Sequence, residues 1–484
     1  MTKHNISLKK NMLLMLIYRI FVTAAPLITT PYICRVLTPE GLGDYGYTQS
    51  ICAYFGAFAA LGTSLYGQRE IAFVRDDEDK MSKCFWEILC FRMITTFISI
   101  IIYIVLVNWF FKQRLKLFFI IQIMDLIGGL LDISWFYIGI EIFSKVFIKN
   151  AILKAVSIAF IFVFVKDEPN IYLYVIINSL ALLLSNLAFW IGLSKYVKKV
   201  PFWGLQYRKH IPAIVTLFLP SIAAIIYNKV DMTMLGFMKG STVDVAYYQQ
   251  TLKISTICAT TISTVSGVIA PRLAYIFSNR GEKELNKYFI KGLDAICLFG
   301  IPISLGMFSI AGSFIPQFLG EKYMTTIGYL KLMSPLCFIA GINNYIGAQY
   351  LVTTKRQNQY TCLVLIGTVT NIICNVIGIS KLGGIGAIMA SIVSETVILA
   401  VGFWLIRKEF CLWELGSVLF KKLISGSIMC VVVLLAVSKL SVSIVNVLIE
   451  ITIGIIVYFT LLLALNDSFT RNTFKALIGR INHK

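Results

Sequence analysis

Apolar stretches of membrane-spanning length follow one another along nearly the whole chain, separated by short polar connections. The pattern predicts fourteen helical spans, over residues 11–34, 42–66, 84–107, 115–140, 145–165, 171–194, 211–238, 245–271, 288–312, 324–352, 358–380, 383–406, 419–438 and 441–465. The spans leave no room for a soluble domain. The fold class is therefore an all-α integral membrane protein of about 14 transmembrane helices.

One polar arrangement returns within this apolar background. Asp44-Tyr45-Gly46-Tyr47-Thr48-Gln49-Ser50 is echoed 200 residues later by Asp244-Val245-Ala246-Tyr247-Tyr248-Gln249-Gln250. From Gln49 the small residues Ala53, Gly56, Ala60, Thr63 and Gly67 climb in steps of four and three. From Gln249, Lys253, Thr256, Thr260, Ser263 and Gly267 climb in the same steps. Such steps trace one helix face. The echo pairs span 2 with span 8, so the unit is six spans, an even number, and both copies face the same way.

The expected organisation is an N-lobe over 1–195, a cytoplasmic interfacial linker over 196–210, a C-lobe over 211–406, and spans 13 and 14 with a cytoplasmic tail over 407–484. Two parallel six-helix lobes, with a polar cleft lined by Gln49, Gln249, Thr256 and Thr260, fit a transporter. Small residues that merely pack helices together fit the same pattern in span 2, less well in span 8, where Lys253 is not a packing residue.

Charge supports the layout. Of the 44 lysines and arginines, thirty fall on one set of alternate connections and ten on the other. This bias places both termini in the cytoplasm. The net charge of +20 is thus explained by topology, and no nucleic-acid partner is implied. The eleven cysteines are scattered without a C-x-x-C word, as small buried hydrophobes rather than a disulfide or metal set. No metal site, cofactor or catalytic word (H-E-x-x-H, G-x-S-x-G, P-loop) is present, which argues against a membrane-embedded glycan polymerase or transferase.

Ionisable groups inside spans cost about 2.5–3.5 kcal/mol each on insertion scales, so each needs a watery cavity or a partner. The candidates for a cationic substrate-binding cleft are Arg19, Arg35, Lys229 and Lys253; the alternative is snorkelling or pairing with an acid. Arg92, close to the cytoplasmic edge, reads as a snorkelling residue. Asp125, Asp132, Asp231 and Glu395 are candidates for ion coupling. Asp125 and Asp132, seven apart, are expected on one helix face as a proton or Na⁺ relay, or as partners for neighbouring cations. Asn178, Ser185 and Asn186 form a weaker polar face suited to interhelical hydrogen bonds. Pro26, Pro31 and Pro220 are expected to kink spans 1 and 7.

Pro31-Tyr-Ile-Cys-Arg35-Val-Leu-Thr-Pro39-Glu-Gly-Leu-Gly43, followed by the Asp44–Ser50 word, Leu61-Gly62 and Gly67-Gln-Arg69-Glu70, resembles the N-terminal signature of Wzx-type polysaccharide flippases. These belong to the multidrug/oligosaccharidyl-lipid/polysaccharide exporter superfamily. The resemblance implies a flippase of the bacterial cytoplasmic membrane, not an enzyme, that carries undecaprenyl-pyrophosphate-linked oligosaccharide repeat units to the outer leaflet. It implies alternating access, coupling to H⁺ or Na⁺, service to O-antigen or capsule synthesis, and a polysaccharide polymerase and chain-length regulator as partners. The lipid II flippase, a relative, places pyrophosphate-binding arginines on spans 1, 2 and 8. Arg19 and Lys253 match by span, whereas span 2 here has no basic residue. A multidrug/cation antiporter of the same superfamily is the alternative, although the Lys253 face suits cationic drugs poorly.

Overall fold

The computed structural model describes residues 8–471 except 112, 410–411, 438–440 and 468. Among the described residues there is no strand, and the helices are α1 (Leu8–Val36), α2 (Pro39–Ala60), α3 (Thr63–Val74), α4 (Glu78–Phe110), α5 (Gln113–Leu131), α6 (Ser134–Gly139), α7 (Phe143–Phe164), α8 (Ile171–Leu187), α9 (Ile211–Lys239), α10 (Val243–Asn279), α11 (Glu282–Phe318), α12 (Thr326–Asn344), α13 (Gln357–Leu382), α14 (Gly384–Ile406), α15 (Leu412–Val437) and α16 (Ile444–Ala464). Each of the fourteen expected stretches carries one of the long helices, and the chain is a multi-pass membrane protein. Nine of the described helices are individually long and apolar enough to cross a bilayer, ten if the α9 segments that meet at 44° around residues 218–221 form one span. That bend flanks Pro220. Large apolar side chains face outward along them, as lipid requires: Phe97, Ile101 and Val105 on α4, and Val369, Ile373 and Ile377 on α13. Exposed Trp109 and Phe110 end α4 where an interfacial aromatic belt belongs.

Local chemistry sets the helix ends. Thr38 caps α2 by accepting the Gly41 N–H at 3.2 Å, and Pro39 occupies the first turn, where its missing donor costs nothing. Asp77 accepts the N–H groups of Asp79 and Lys80 at 3.2 and 3.1 Å and starts α4. Several of the expected spans are broken. The second ends at Leu61 (φ 43°) and Gly62 (φ 76°), so Thr63 and Gly67 belong to α3 rather than to the face that begins at Gln49. The fourth ends at Leu131 and restarts at Ser134.

The chain forms two compact units: residues up to Gly236 with Ser241–Ala246, and Phe237–Gly240 with Tyr247 onward. In the first, α9 is carried by α2. Ser50 Oγ and Tyr54 OH meet Thr233 Oγ1 at 2.8 and 3.1 Å. Gly236 lies under the Tyr47 ring, where a Cβ would come within 2.3 Å of Cδ2. Asp44, near the start of α2, accepts Thr242 Oγ1 at 2.5 Å and Arg114 Nε at 2.8 Å, and Arg114 also pairs with Glu40.

In the second unit, α13 and α14 pack backbone to backbone. A Cβ on Gly386 would sit 2.0 Å from the Gly378 carbonyl oxygen, so only glycine fits this crossing. α15 and the end of α16 are fastened to α11 by a buried ion cluster. The Lys422 ammonium, 0% exposed, donates to Asp294 and, at 3.1 Å, to Asp467 Oδ1. Burial works to raise the Asp467 carboxyl, but the Thr470 N–H and O–H and the Lys422 ammonium outweigh it and hold it below the usual carboxylate range. Its stabilising contribution is therefore complete above the ordinary carboxylate range and is lost as pH falls through the lowered value. Lys422→Ala leaves two buried carboxylates without their cation. It is expected to cost on the order of 3–5 kcal/mol, read as a lower apparent melting temperature of the purified protein, with Asp467→Ala alone milder.

Candidate functional site

The first unit contains a pocket of about 300 Å³ walled by α2, α5 and α8. α2 contributes Tyr45, Gln49, Cys52, Ala53 and Gly56; α5 contributes Asp125 and Leu126; α8 contributes Asn178 and Leu182. The α2 residues lie on one face, because positions three and four apart stack on a helix. Ala53 and Gly56 make the space: a Cβ on Gly56 would meet only Leu126 Cδ2, at 3.9 Å. Gln49 Nε2 donates to Tyr45 OH at 3.0 Å, and Asn178 Nδ2 donates to the Tyr174 carbonyl at 2.9 Å. One turn before Asp125, buried Gln122 donates to Thr48 Oγ1 at 3.1 Å and fixes α5 against α2. Asp125 is half-buried and forms no ion pair among the described residues. A carboxyl set among the Gln49 and Asn178 amides and the Tyr45 phenol has the donor type for a proton or a monovalent cation.

Asp132 does not share this pocket, which corrects the expectation of two carboxylates stacked on one face. α5 ends between them, and Asp132 Oδ1 instead accepts the Ser134 N–H at 2.9 Å where α6 begins. Arg92, expected to snorkel, is 3% exposed and points at this break. Its Nη2 donates to the Gly129 carbonyl at 2.7 Å; its Nη1 donates to the Asp132 carbonyl at 3.2 Å and to Ser64 Oγ at 3.3 Å. The guanidinium thus satisfies the terminal carbonyls of α5 and complements that end of the helix dipole.

The remaining expected residues are dispersed. Arg19 lies in α1, but its side chain falls outside the described residues. Arg35 is exposed at the end of α1 and donates to the Pro31 carbonyl of its own helix at 3.3 Å. Lys229 is half-buried and Asp231 buried on α9. Glu395 Oε2 on α14 accepts Asn343 Nδ2 from α12.

On α10, Gln249 is buried, while Lys253, Thr256 and Thr260 continue up the helix as a polar strip. Lys253 Nζ donates to Gln250 Oε1 at 3.2 Å, and Thr260 Oγ1 donates to the Thr256 carbonyl at 2.7 Å, its own helix. Unlike the α2 face, this strip stays on one unbroken helix, exposed at Thr256 and Gly267.

One network was not anticipated. Glu87 on α4, 0% exposed, accepts from His210 Nε2 and Lys209 Nζ, both at 2.8 Å, and from the Gln206 N–H at 2.8 Å. His210 Nδ1 meets Tyr66 OH at 2.5 Å. The connection between α8 and α9 is thereby fixed to α3 and α4. The sequence signal was a rare histidine beside a lysine, opposite an acid inside an apolar span.

A family model described as "Polysaccharide biosynthesis protein" matches residues 8–277. The chain is similar to the "Putative O-antigen transporter" of Escherichia coli (strain K12), 23% identical over 377 residues, covering 75% of this chain and 88% of that one. It is likewise similar to the "Putative O-antigen transporter" of Shigella dysenteriae, 21% identical over 393 residues, covering 81% and 98%. Among solved structures, it superposes on the inward closed conformation of the lipid II flippase MurJ with a TM-score of 0.73 at 17% identity, covering 96% of this chain and 99% of that one. It also superposes on the inward-facing conformation of a multidrug resistance MATE family transporter, with a TM-score of 0.62 at 14% identity, covering 81% and 94%.

Proposed function

The chain belongs to the polysaccharide biosynthesis protein family, and from that premise we propose that it is a transporter which moves a lipid-linked oligosaccharide across the membrane. The reading names an undecaprenyl-pyrophosphate-linked repeat unit as cargo, carried from the cytoplasmic to the outer leaflet by alternating access of two six-helix lobes. The O-antigen transporters it resembles support a polysaccharide precursor as the cargo class. The observation that carries the proposal is the α10 strip: a lysine and a ladder of threonines on the exposed face of a helix that otherwise crosses an apolar bundle.

A membrane-embedded cation meets a phosphate as a point charge, and the hydroxyls below it suit sugar. Arg19, Arg35 and Lys229 are assigned to the same anionic cargo. Asp125, in its own polar pocket, is assigned to ion coupling with H⁺ or Na⁺, with Asp231 and Glu395 as further candidates; Asp132, outside that pocket, is assigned to holding the Ser134 N–H at the break between α5 and α6.

Removal of the gene tests the reading. Cells are expected to accumulate a lipid-linked oligosaccharide that stays inaccessible to glycan-modifying reagents added from outside. Accumulation of no such intermediate overturns the proposal.

A further inference from the structure

In the first unit, α7 presents one face to lipid and one to protein. Ile152, Val156, Phe160 and Val163 are exposed, while Asn150, Lys154, Ser157, Ile161 and Val165 climb the inward side in steps of four and three. On that side Ser157, Ile161 and Val165 are buried and Lys154 is half-buried. Lys154 stands eleven residues after Phe143 and ten before Phe164, the two ends of α7. About 15 Å of helix rise separates it from either end, too far for a lysine stem to snorkel out.

Nothing in the chain neutralises this cation. Its neighbour Lys149 donates to the Ala188 carbonyl, and Asn150 accepts the Ser185 hydroxyl at 2.5 Å. The Lys154 carbonyl accepts Ser157 Oγ at 2.8 Å, whereas its ammonium has no hydrogen bond or ion pair among the described residues. α7 packs against α1, α6, α8 and the turn Ala188–Trp190, and neither α7 nor any of these carries an aspartate or a glutamate. An ammonium held at mid-membrane needs a countercharge, so the anion has to come from outside the chain.

Arg19 lies at about the same depth. Tyr32 OH, near the end of α1, bonds the carbonyl of Val165, at the end of α7, at 2.7 Å. Counting back from that contact, Lys154 is eleven residues down α7 and Arg19 thirteen down α1, a difference of about 3 Å in rise.

We propose that Lys154 binds the phosphate of a lipid inside the membrane, at the depth of Arg19. A phosphate supplies the charge and the acceptor oxygens that this face lacks, and a lysine meets it as a point charge. The apolar residues above Lys154 favour an anion that carries its own hydrocarbon over a hydrated one. Two lipids have that chemistry. One is the polyprenyl pyrophosphate of the cargo, an occupant that rests on the proposed function; the other is an anionic phospholipid of the surrounding leaflet, which does not. No residue of α7 is among those assigned to the cargo above.

The test measures saturable binding of labelled undecaprenyl pyrophosphate, and separately of labelled phosphatidylglycerol, to the full-length protein in dodecyl maltoside micelles, which contain no phosphate. Lys154→Met is expected to weaken binding roughly tenfold or more, and Lys154→Arg to retain it. Undecaprenol, which lacks the phosphate, is expected to bind equally to all three proteins. Lys154→Met removes a charge from apolar surroundings and is expected to melt no lower than the unmodified protein. Binding unchanged in Lys154→Met overturns the proposal, as does equal weakening in Lys154→Met and Lys154→Arg, the mark of a packing role. Absence of saturable binding of either lipid overturns it too. Lys154-dependent binding of undecaprenyl pyrophosphate makes the cargo the occupant. Lys154-dependent binding of phosphatidylglycerol, with none of the polyprenyl lipid, upholds the residue's assignment while the proposed cargo fails. Undecaprenyl pyrophosphate bound equally by all three proteins does the reverse.

Discussion

Asp125→Asn is expected to uncouple transport from the ion gradient while leaving the fold in place. The pocket that holds Asp125 is polar but carries no fixed cation among the described residues, so the carboxyl is the group there that can change charge. Asparagine keeps its size and hydrogen-bonding shape and removes only that capacity. One monovalent ion carried down a tenfold gradient supplies about 1.4 kcal/mol, enough for roughly a tenfold cargo ratio between leaflets when there is no membrane potential. In Asp125→Asn that ratio is expected to fall to unity in reconstituted vesicles with an imposed H⁺ or Na⁺ gradient, with the melting temperature unchanged. Because Asp132 accepts the Ser134 N–H at the break between α5 and α6, and an asparagine oxygen accepts the same bond, Asp132→Asn should keep both coupling and stability, whereas Asp132→Ala should keep coupling and lower stability by about 1 kcal/mol. Equal loss of coupling in Asp125→Asn and Asp132→Asn would return the two carboxylates to a shared relay.

Lys253→Glu is expected to have the second large effect, on the cargo rather than on the ion. Lys253 is half-buried and donates to the neutral amide of Gln250. Removing the positive partner of a partly desolvated charge pair costs about 2 kcal/mol or more, roughly thirtyfold in binding, and the introduced carboxylate adds repulsion against phosphate. Lys253→Gln should fall between the unmodified protein and Lys253→Glu. A cargo affinity that is the same in all three would remove Lys253 from the site.

How much of this was legible in the chain follows from what the bilayer demands. Hydrocarbon admits only helices with their backbone groups satisfied, so the fourteen apolar stretches were readable and each carries a helix. The breaks were not. Leu61 is apolar and helix-forming by type, yet takes φ 43° ahead of Gly62, and nothing local marks Leu131 as the end of α5. Both breaks are decided by packing: Gly62 sits against the α9 backbone, and Arg92 accepts the task of pairing the carbonyls freed beside Asp132.

The cost of a carboxyl at mid-membrane singled out Asp125, but not its surroundings. The Asp125 pocket exists only once α8 brings Asn178 and Leu182 beside α2. By sequence Asn178, Ser185 and Asn186 read alike, as a helix-to-helix face. The last two do bond across helices, Ser185 to Asn150 and Asn186 to the Gly128 carbonyl, whereas Asn178 lines the pocket. The echo at an offset of 200 was readable as a word, while its two copies differ in place: Asp44 sits inside α2, held by Thr242 and Arg114, and Asp244 in the first turn of α10.

The central claim is that this chain moves a polyprenyl-pyrophosphate-linked oligosaccharide between leaflets. The direct measurement is the rate at which such a lipid, placed in one leaflet of vesicles containing the purified protein, becomes accessible to a glycan-modifying enzyme on the other side. The account predicts time-dependent exposure well above protein-free vesicles, diminished when Lys253 is replaced by glutamate. Exposure no faster than in protein-free vesicles would contradict it.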